Sequence, residues 1–211
     1  MRHTIIALLA LVPAPAAMAA DWVVHTPAEL QRAIANAADG DRILVAAGDY
    51  GRLSLSDRNF AMTVAIEAQD AAAPPRFQSI AIERSSHITL RGLAVNFGAT
   101  SRPQSDYVID IAHAQSIRLE AMRVASAPNG VAGDDATGVM VLSSADVEIQ
   151  DSVFDETYRG VLAFESDRVF VRHNVILRAG VDGVAARGAD GMVIEDNYIA
   201  EFLAIDPVAL H

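Results

Sequence analysis

The chain has 211 residues, 52% of them hydrophobic and 6% aromatic, enough for one domain with a sizeable core. It has no Cys, and all 16 basic residues are Arg; this excludes a disulfide scaffold, a Cys-based zinc or iron–sulfur centre, a thiol nucleophile, a Schiff-base Lys and a P-loop. A net charge of −11 argues against nucleic acid as a partner, because phosphate binding needs a basic surface.

The opening residues Met1, Arg2 and His3 are followed by an apolar run from Ile5 to Val12, too short to span a bilayer. With Ala17-Met18-Ala19 as an A-x-A cleavage site, residues 1–19 read as a secretory signal peptide. Residues 20–211 are then an exported domain, periplasmic or secreted, with no second stretch long enough for a membrane span. Thr26-Pro27-Ala28-Glu29 has the form of a capping box with Pro at the first helical position. Leu30, Ala33, Ile34 and Ala37 fall on one face of the helix it starts, and Asp39-Gly40 ends it. Ile43-Leu44-Val45 is a strand, Gly48-Asp49-Tyr50-Gly51 a turn, and Leu53 and Leu55 resume alternation.

From residue 79 the chain repeats itself. Apolar positions open a first strand at Ile80, Ile109, Val139, Val161 and Val184. A second strand starts eight residues later, at 88, 117, 147, 169 and 192, in steps of 29, 30, 22 and 23 residues. A third puts Val95, Val124, Phe154, Ile176 and Ile199 seven residues further on. Three short strands cannot bury their apolar side alone. Stacked on like units about 4.8 Å apart, they form inward columns of Ile, Val and Leu. Steps of 22–23 residues make one coil, and steps of 29–30 add surface loops around Ser101 to Asp106 and Pro128 to Thr137. Ser152, Asn174 and Asn197 share one corner and read as a ladder of turn-binding side chains, with His173 and Asp196 structural beside it. A β-solenoid of another hand and an irregular β-sandwich are the competing folds. The sandwich needs tight hairpins that 22-residue coils do not supply.

The layout resembles the right-handed parallel β-helix of the pectin-lyase-like superfamily, all-β, with an N-terminal capping α-helix and about seven three-stranded coils. The stretch from Pro27-Ala28-Glu29-Leu30-Gln31 through Ala37-Ala38-Asp39-Gly40-Asp41-Arg42 to Gly48-Asp49-Tyr50-Gly51 is similar to the start of alginate-lyase and chondroitinase-B-type polysaccharide lyases. Asp206 to His211 stops inside what would be the loop to another coil, which suggests a C-terminally incomplete helix or a partner over its end.

In such a helix the natural groove is the outer face of the first strands with their entering loops. The loops carry Asp134, Asp135, Thr157, Tyr158, Arg159, Asp182, Asp206 and His211, and Arg187 lies on the strand face. Carboxylates, Arg and a Tyr in an elongated groove suit an anionic or neutral polysaccharide, since Arg grips sugar carboxylates bidentately and aromatics stack on sugar rings. The resemblance implies β-elimination on a uronic-acid polymer, with a Lys and an Arg as base and acid and calcium on the substrate carboxylate. This sequence has no Lys, so Arg159, Arg187 or His211 would have to serve, or the Lys lies downstream. The expected site is therefore Arg159 and Arg187 as catalytic groups, with Tyr158 as a sugar platform and Asp182 as a substrate contact. Asp134, Asp135, Asp155, Glu156 and Asp182 offer hard oxygen ligands for calcium. Plainer readings stand beside these. Arg159 can pair with Glu156 or Asp182, Asp182-Gly183 reads as a turn pair, Asp134-Asp135 as a solvated turn, and Tyr158 as packing. Epimerisation would use nearly the same groups as elimination. Hydrolysis ranks lower, because Asp134-Asp135 is the only adjacent Asp pair and no Gly-His pair is present. A non-catalytic carbohydrate-binding or structural module is the alternative class.

Overall fold

A computed structural model describes residues 19–204. The expected leader, apart from Ala19, and the groove candidates Asp206 and His211 lie outside the described residues. Each strand pairs in parallel with its counterpart one coil away, which builds three sheets. The first sheet holds Arg52–Ser56, Ser79–Glu83, Tyr107–Ala112, Thr137–Leu142, Arg159–Phe164 and Asp182–Arg187. The second holds eight strands, Asp21–Val24, Arg42–Val45, Asn59–Ala68, Ser86–Arg91, Gln115–Glu120, Ala145–Gln150, Asp167–Arg172 and Val193–Glu195. The third holds Arg76–Phe77, Ala94–Asn96, Arg123–Ala125, Val153–Asp155, Val175–Leu177 and Tyr198–Ala200. This is a right-handed parallel β-helix, and the parallel pairing rules out a hairpin sandwich.

The inward columns follow the sequence repeat. Ile80, Ile109, Val139, Val161 and Val184 are successive partners in the first sheet, as are Ile88, Ile117, Val147 and Val169 in the second. Val95, Val124, Phe154, Ile176 and Ile199 align in the third. These side chains are almost wholly buried down to Ile176, so the interior is one apolar column. The helix Pro27–Asn36 covers the N-terminal end, with Leu30, Ala33 and Ile34 buried. Thr26 caps it by accepting from the Glu29 N–H, and Glu29 reaches back to accept from the His25 N–H, one residue before the cap. Asp41, also buried, ties helix to sheet by accepting from the backbone N–H of Ala38 and Ala20 and from the Trp22 indole. Those bonds, the Ala38 one foremost, hold its carboxyl below the usual range.

Corners are built by repetition too. Between first and second strands Arg84, His113, Ser143 and Glu165 hold φ of 46°, 53°, 45° and 49°, the left-handed region. The residue after each corner supplies a rung-to-rung bond: the Ala114 N–H donates to Ser144 Oγ at 3.0 Å, and the Ser144 N–H to Ser166 Oγ at 3.1 Å. After the second strands, His173 and Asp196 sit at φ 52° and 53°. There Ser152 N–H donates to Asn174 Oδ1 at 3.0 Å, and Asn174 Nδ2 to Asn197 Oδ1 at 3.0 Å. The expected ladder is present, and buried corner backbone is satisfied from the neighbouring coil.

The second sheet faces outward with charge, and the charges consume one another. Glu67 bridges Arg42 and Arg91, Arg91 reaches Glu120, and Arg118, Glu148, Arg172 and Glu195 continue the series. Gly183 corrects one expectation, since Asp182-Gly183 opens a strand and is not a turn. Gly138, Gly160 and Gly183 stack where the first sheet meets the third. A Cβ on Gly160 would lie 2.4 Å from the Gly183 carbonyl oxygen and 2.8 Å from Ile176 Cγ2.

Two substitutions test this register by thermal melting. Val161→Asp puts an unpaired charge into a fully buried column, a cost of several kcal/mol, and is expected to abolish cooperative folding. Gly160→Ala should cost about 1–3 kcal/mol through overpacking. A melting temperature unchanged in either variant would show that these positions do not face inward.

Candidate functional site

Because the inward positions of the first sheet alternate with outward ones, two rows of side chains face solvent across six rungs. One row runs Ser54, Ala81, Asp110, Met140, Leu162, Ala185. The other runs Ser56, Glu83, Ala112, Leu142, Phe164, Arg187. The face is polar over its N-terminal rungs and apolar over its C-terminal ones.

The two long loops meet beside this face. Thr100 N–H donates to the Asp134 carbonyl at 2.7 Å, and Thr137 N–H to the Asp106 carbonyl at 3.0 Å. Asp106 also takes a hydrogen bond from the Thr100 hydroxyl and an ion pair from Arg102 at 2.8 Å. So braced, the loop ending at Tyr107 stands as a ridge with a cavity on each side. A cavity of about 440 Å³ on the N-terminal side is lined by Arg52, Gln78, Arg102, Asp106, Tyr107 and Asp110 among others. On the C-terminal side, one of about 230 Å³ is lined by Gln104, Tyr107, Met140, Arg159, Leu162, Phe164, Asp182 and Arg187 among others. Tyr107 borders both. Burial first, and then Asp110, raise its phenol pKa, while the Arg159 charge works against them. Burial, then Glu83, likewise raises the Asp110 carboxyl, opposed by Arg52, and one Asp110 oxygen is buried without a partner.

Of the expected residues, Arg159, Asp182 and Arg187 come together in the smaller cavity. Arg159 Nε donates to Asp182 Oδ2 at 2.9 Å, and the Arg159 side chain is only 15% exposed. Asp182 is thus first the partner of Arg159, while Arg187 is exposed at the margin. Tyr158 is corrected: it is 3% exposed and its ring lies under the Arg159 guanidinium at 4.7 Å, so it packs and offers no sugar platform. Arg52, Gln104 and Tyr107 were missed. The coil carrying Arg52 precedes the point where the repeat becomes regular, and Gln104 and Tyr107 sit in and beside an inserted loop.

The other carboxylates gather under the loop Pro128 to Thr137, away from Asp182. Asp155 and Glu156 both pair with Arg178, and Glu156 also accepts from the Gly130 N–H at 2.6 Å. Asp135 is no solvated turn residue. It is wholly buried, with one oxygen accepting from the Ala127 N–H at 3.0 Å and the other unpartnered. Among the described residues no group of three or more His, Cys, Asp or Glu side chains is placed to hold a metal ion.

Burial, reinforced by Asp134 and Glu156, pushes the Asp135 carboxyl up to about 7 from an ordinary 3.8. A raised carboxyl pKa means the folded chain keeps a proton that the unfolded chain releases, so stability falls as pH rises from 3.8 to 7. Asp135→Asn should therefore stabilise the protein at pH 8 by up to about 4 kcal/mol, and the gain should vanish toward pH 4. Denaturant titrations across pH measure this; a pH-independent difference would contradict a buried, protonated Asp135.

The fold has close counterparts among solved structures. An alginate lyase from Paenibacillus sp. str. FPU-7 superposes with a TM-score of 0.66 at 16% identity, over 84% of this chain and 65% of that one. This chain therefore spans less than two thirds of that lyase. A putative glycosyl hydrolase from Parabacteroides merdae ATCC 43184 gives 0.60 at 10% identity, over 84% of this chain and 96% of that one. A PL6 family polysaccharide lyase from Pseudopedobacter saltans gives 0.53 at 12% identity, over 84% and 53%. At these identities the likeness is one of fold. No curated protein matches the sequence. The family described as "Periplasmic copper-binding protein (NosD)" matches residues 36–204, most of the chain and nearly every coil described above. The protein belongs to the NosD family of periplasmic β-helix proteins.

Proposed function

We propose that the outer face of the first sheet binds an anionic polysaccharide, a uronic-acid polymer laid across the rungs. One observation carries this reading. Ten of the fifteen described arginines are held in ion pairs with carboxylates among the described residues; of the other five, Arg32, Arg58 and Arg123 lie elsewhere, and Arg52 and Arg187 remain. Both lie on this face, five rungs or about 24 Å apart along the stack. Unpaired guanidinium groups at both ends of a groove are suited to the repeated carboxylates of such a polymer. The similarity of fold to polysaccharide lyases is consistent with this use of the face.

The family's description names copper. Copper sites draw on imidazole, thiolate and thioether ligands. The chain has no Cys. His25, His87, His113 and His173 belong to no group of three or more ligating His, Asp or Glu side chains among the described residues, Met122 is in the core, and Met62 is exposed. The described residues do not fit a copper centre.

A second reading, β-elimination on the bound polymer, is favoured by Tyr107, whose phenol borders both cavities within the field of Arg159. Elimination needs a group to take the C5 proton, an acid to protonate the oxygen that leaves C4, and a positive charge to steady the carboxylate. Tyr107, which its raised pKa keeps protonated, suits the acid's role, Asp110 beside it the base's, and Arg52 or Arg187 the positive charge's. Arg159 is committed to Asp182.

Titration with alginate, pectate and chondroitin, following both binding and the ultraviolet absorbance of unsaturated uronate, tests both readings. At least one polymer should bind, more weakly as salt is raised. Arg52→Ala and Arg187→Ala should each weaken binding about tenfold. Arg123→Ala, on the third sheet, should not. Equal losses from all three variants, or no binding to any of the polymers, would overturn the assignment of this face. Product formation lost in Tyr107→Phe would favour elimination over binding alone.

A further inference from the structure

The apolar half of the face is not explained by carboxylate binding. Four rungs from the N-terminus, the outward positions change from Ser54, Ala81 and Asp110 to Met140 and Leu162, and from Ser56 and Glu83 to Leu142 and Phe164. A sugar ring can lay one C–H face on Phe164, but its hydroxyl groups find no hydrogen-bond partner on the rest of a floor made of Met140, Leu142 and Leu162. Buried there, they would lose water without compensation. The cavity above this floor is about 230 Å³, below the 300–1,000 Å³ typical of sites that enclose a whole small ligand. It has room for a substituent rather than for a sugar with its neighbours. Polar groups stand only at its walls, where Gln104, Tyr107, the Arg159–Asp182 pair and Arg187 lie.

We infer that this half of the groove receives O-acyl groups, so that the ligand is an acylated uronic-acid polymer whose ester methyl rests on Met140, Leu162 and Phe164. The inference rests on the polysaccharide reading and deepens it. The charge pattern supports the same occupant. Arg187, unpaired among the described residues, borders the apolar floor, so one sugar can place its carboxylate at the margin and its acyl group inside. The ester carbonyl then faces the donors of Gln104 and Tyr107 along the wall. An apolar protein partner would leave Arg187 without a matching charge unless it brought its own carboxylate.

The test compares O-acetylated alginate with the same preparation after mild de-O-acetylation, by calorimetry on the full chain. Burying one methyl is worth about a fourfold gain in affinity, and a carbonyl hydrogen bond adds to it, so the acetylated polymer should bind about four- to tenfold tighter. Leu162→Ser should bring the ratio of the two affinities down toward one. Phe164→Ser provides a second outward change if the first melts at a lower temperature than the parent. Arg187→Ala should weaken both polymers and leave a preference for the acetylated one. If both polymers bind equally well to the parent chain, the acyl pocket is wrong while the polysaccharide reading stands. If neither binds, both fall. A change of oligomeric state in Leu162→Ser, seen by sedimentation without a change in the affinity ratio, would mean that the floor is an interface between copies and would overturn the acyl assignment.

Discussion

The parallel, in-register stacking of coils is the constraint from which the rest of the molecule follows. Each strand bonds to its counterpart above and below, so a side chain facing inward on one rung faces inward on all of them. Apolar residues at those positions fuse into a column, and chain between the columns must turn in the same way each time. The recurring left-handed corners at Arg84, His113, Ser143 and Glu165 are the result. Residues with a Cβ are uncommon in that region, and here the serine and asparagine bonds across coils hold them. The glycine column obeys the same logic, because first and third sheets approach most closely where Phe154, Ile176 and Ile199 point inward.

A rigid stack leaves the outward positions free to carry chemistry, and the sheets use that freedom differently. The second sheet spends its charges on alternating ion pairs, each worth little at an exposed surface, and presents few unsatisfied groups. The first sheet leaves Arg52 and Arg187 open and divides its length between polar and apolar floors. On a chain with a net charge of −11, two guanidinium groups on one face that are unpaired among the described residues are local exceptions to the overall field, which otherwise repels polyanions. Their reach is a Debye length or so, and binding there is accordingly salt-sensitive.

Most of the fold was legible in the sequence because burial imposes a strict period. The columns beginning at Ile80, Ile88 and Val95, the capped helix and the asparagine corner all stand in the structure where the repeat puts them. The site was legible only in part. Arg159, Asp182 and Arg187 could be brought to one face by counting, but their pairing depended on side-chain reach, and Arg159 proved to be spent on Asp182. Tyr158 looked like a loop residue because it precedes a strand. It sits at a corner where the chain has already turned inward. Asp182-Gly183 resembled a turn because glycine commonly marks one, whereas here the glycine answers to Ile199 across the core. Tyr107 and Gln104 belong to a segment whose position is set by Thr100, Asp106 and Asp134 in two different insertions, and no period connects those. Arg52 lies on a coil followed by the irregular pairing between Asn59 and Val64, before the repeat settles.

The absence of native Cys allows the stacking to be probed by paired cysteines under mild oxidation. Ala112 and Leu142 face outward as direct partners on adjacent rungs, so their Cα atoms lie about 4.8 Å apart, within the range a disulfide spans. Met140 faces the same side but pairs with Asp110, which sets it diagonally from Ala112, about 8 Å away and beyond that range. The double variant Ala112→Cys with Leu142→Cys should form a disulfide quantitatively in the folded chain, and Ala112→Cys with Met140→Cys should stay reduced. Cross-linking of the second pair in preference to the first would mean that the coils stack in another register, and the groove built on them would not exist.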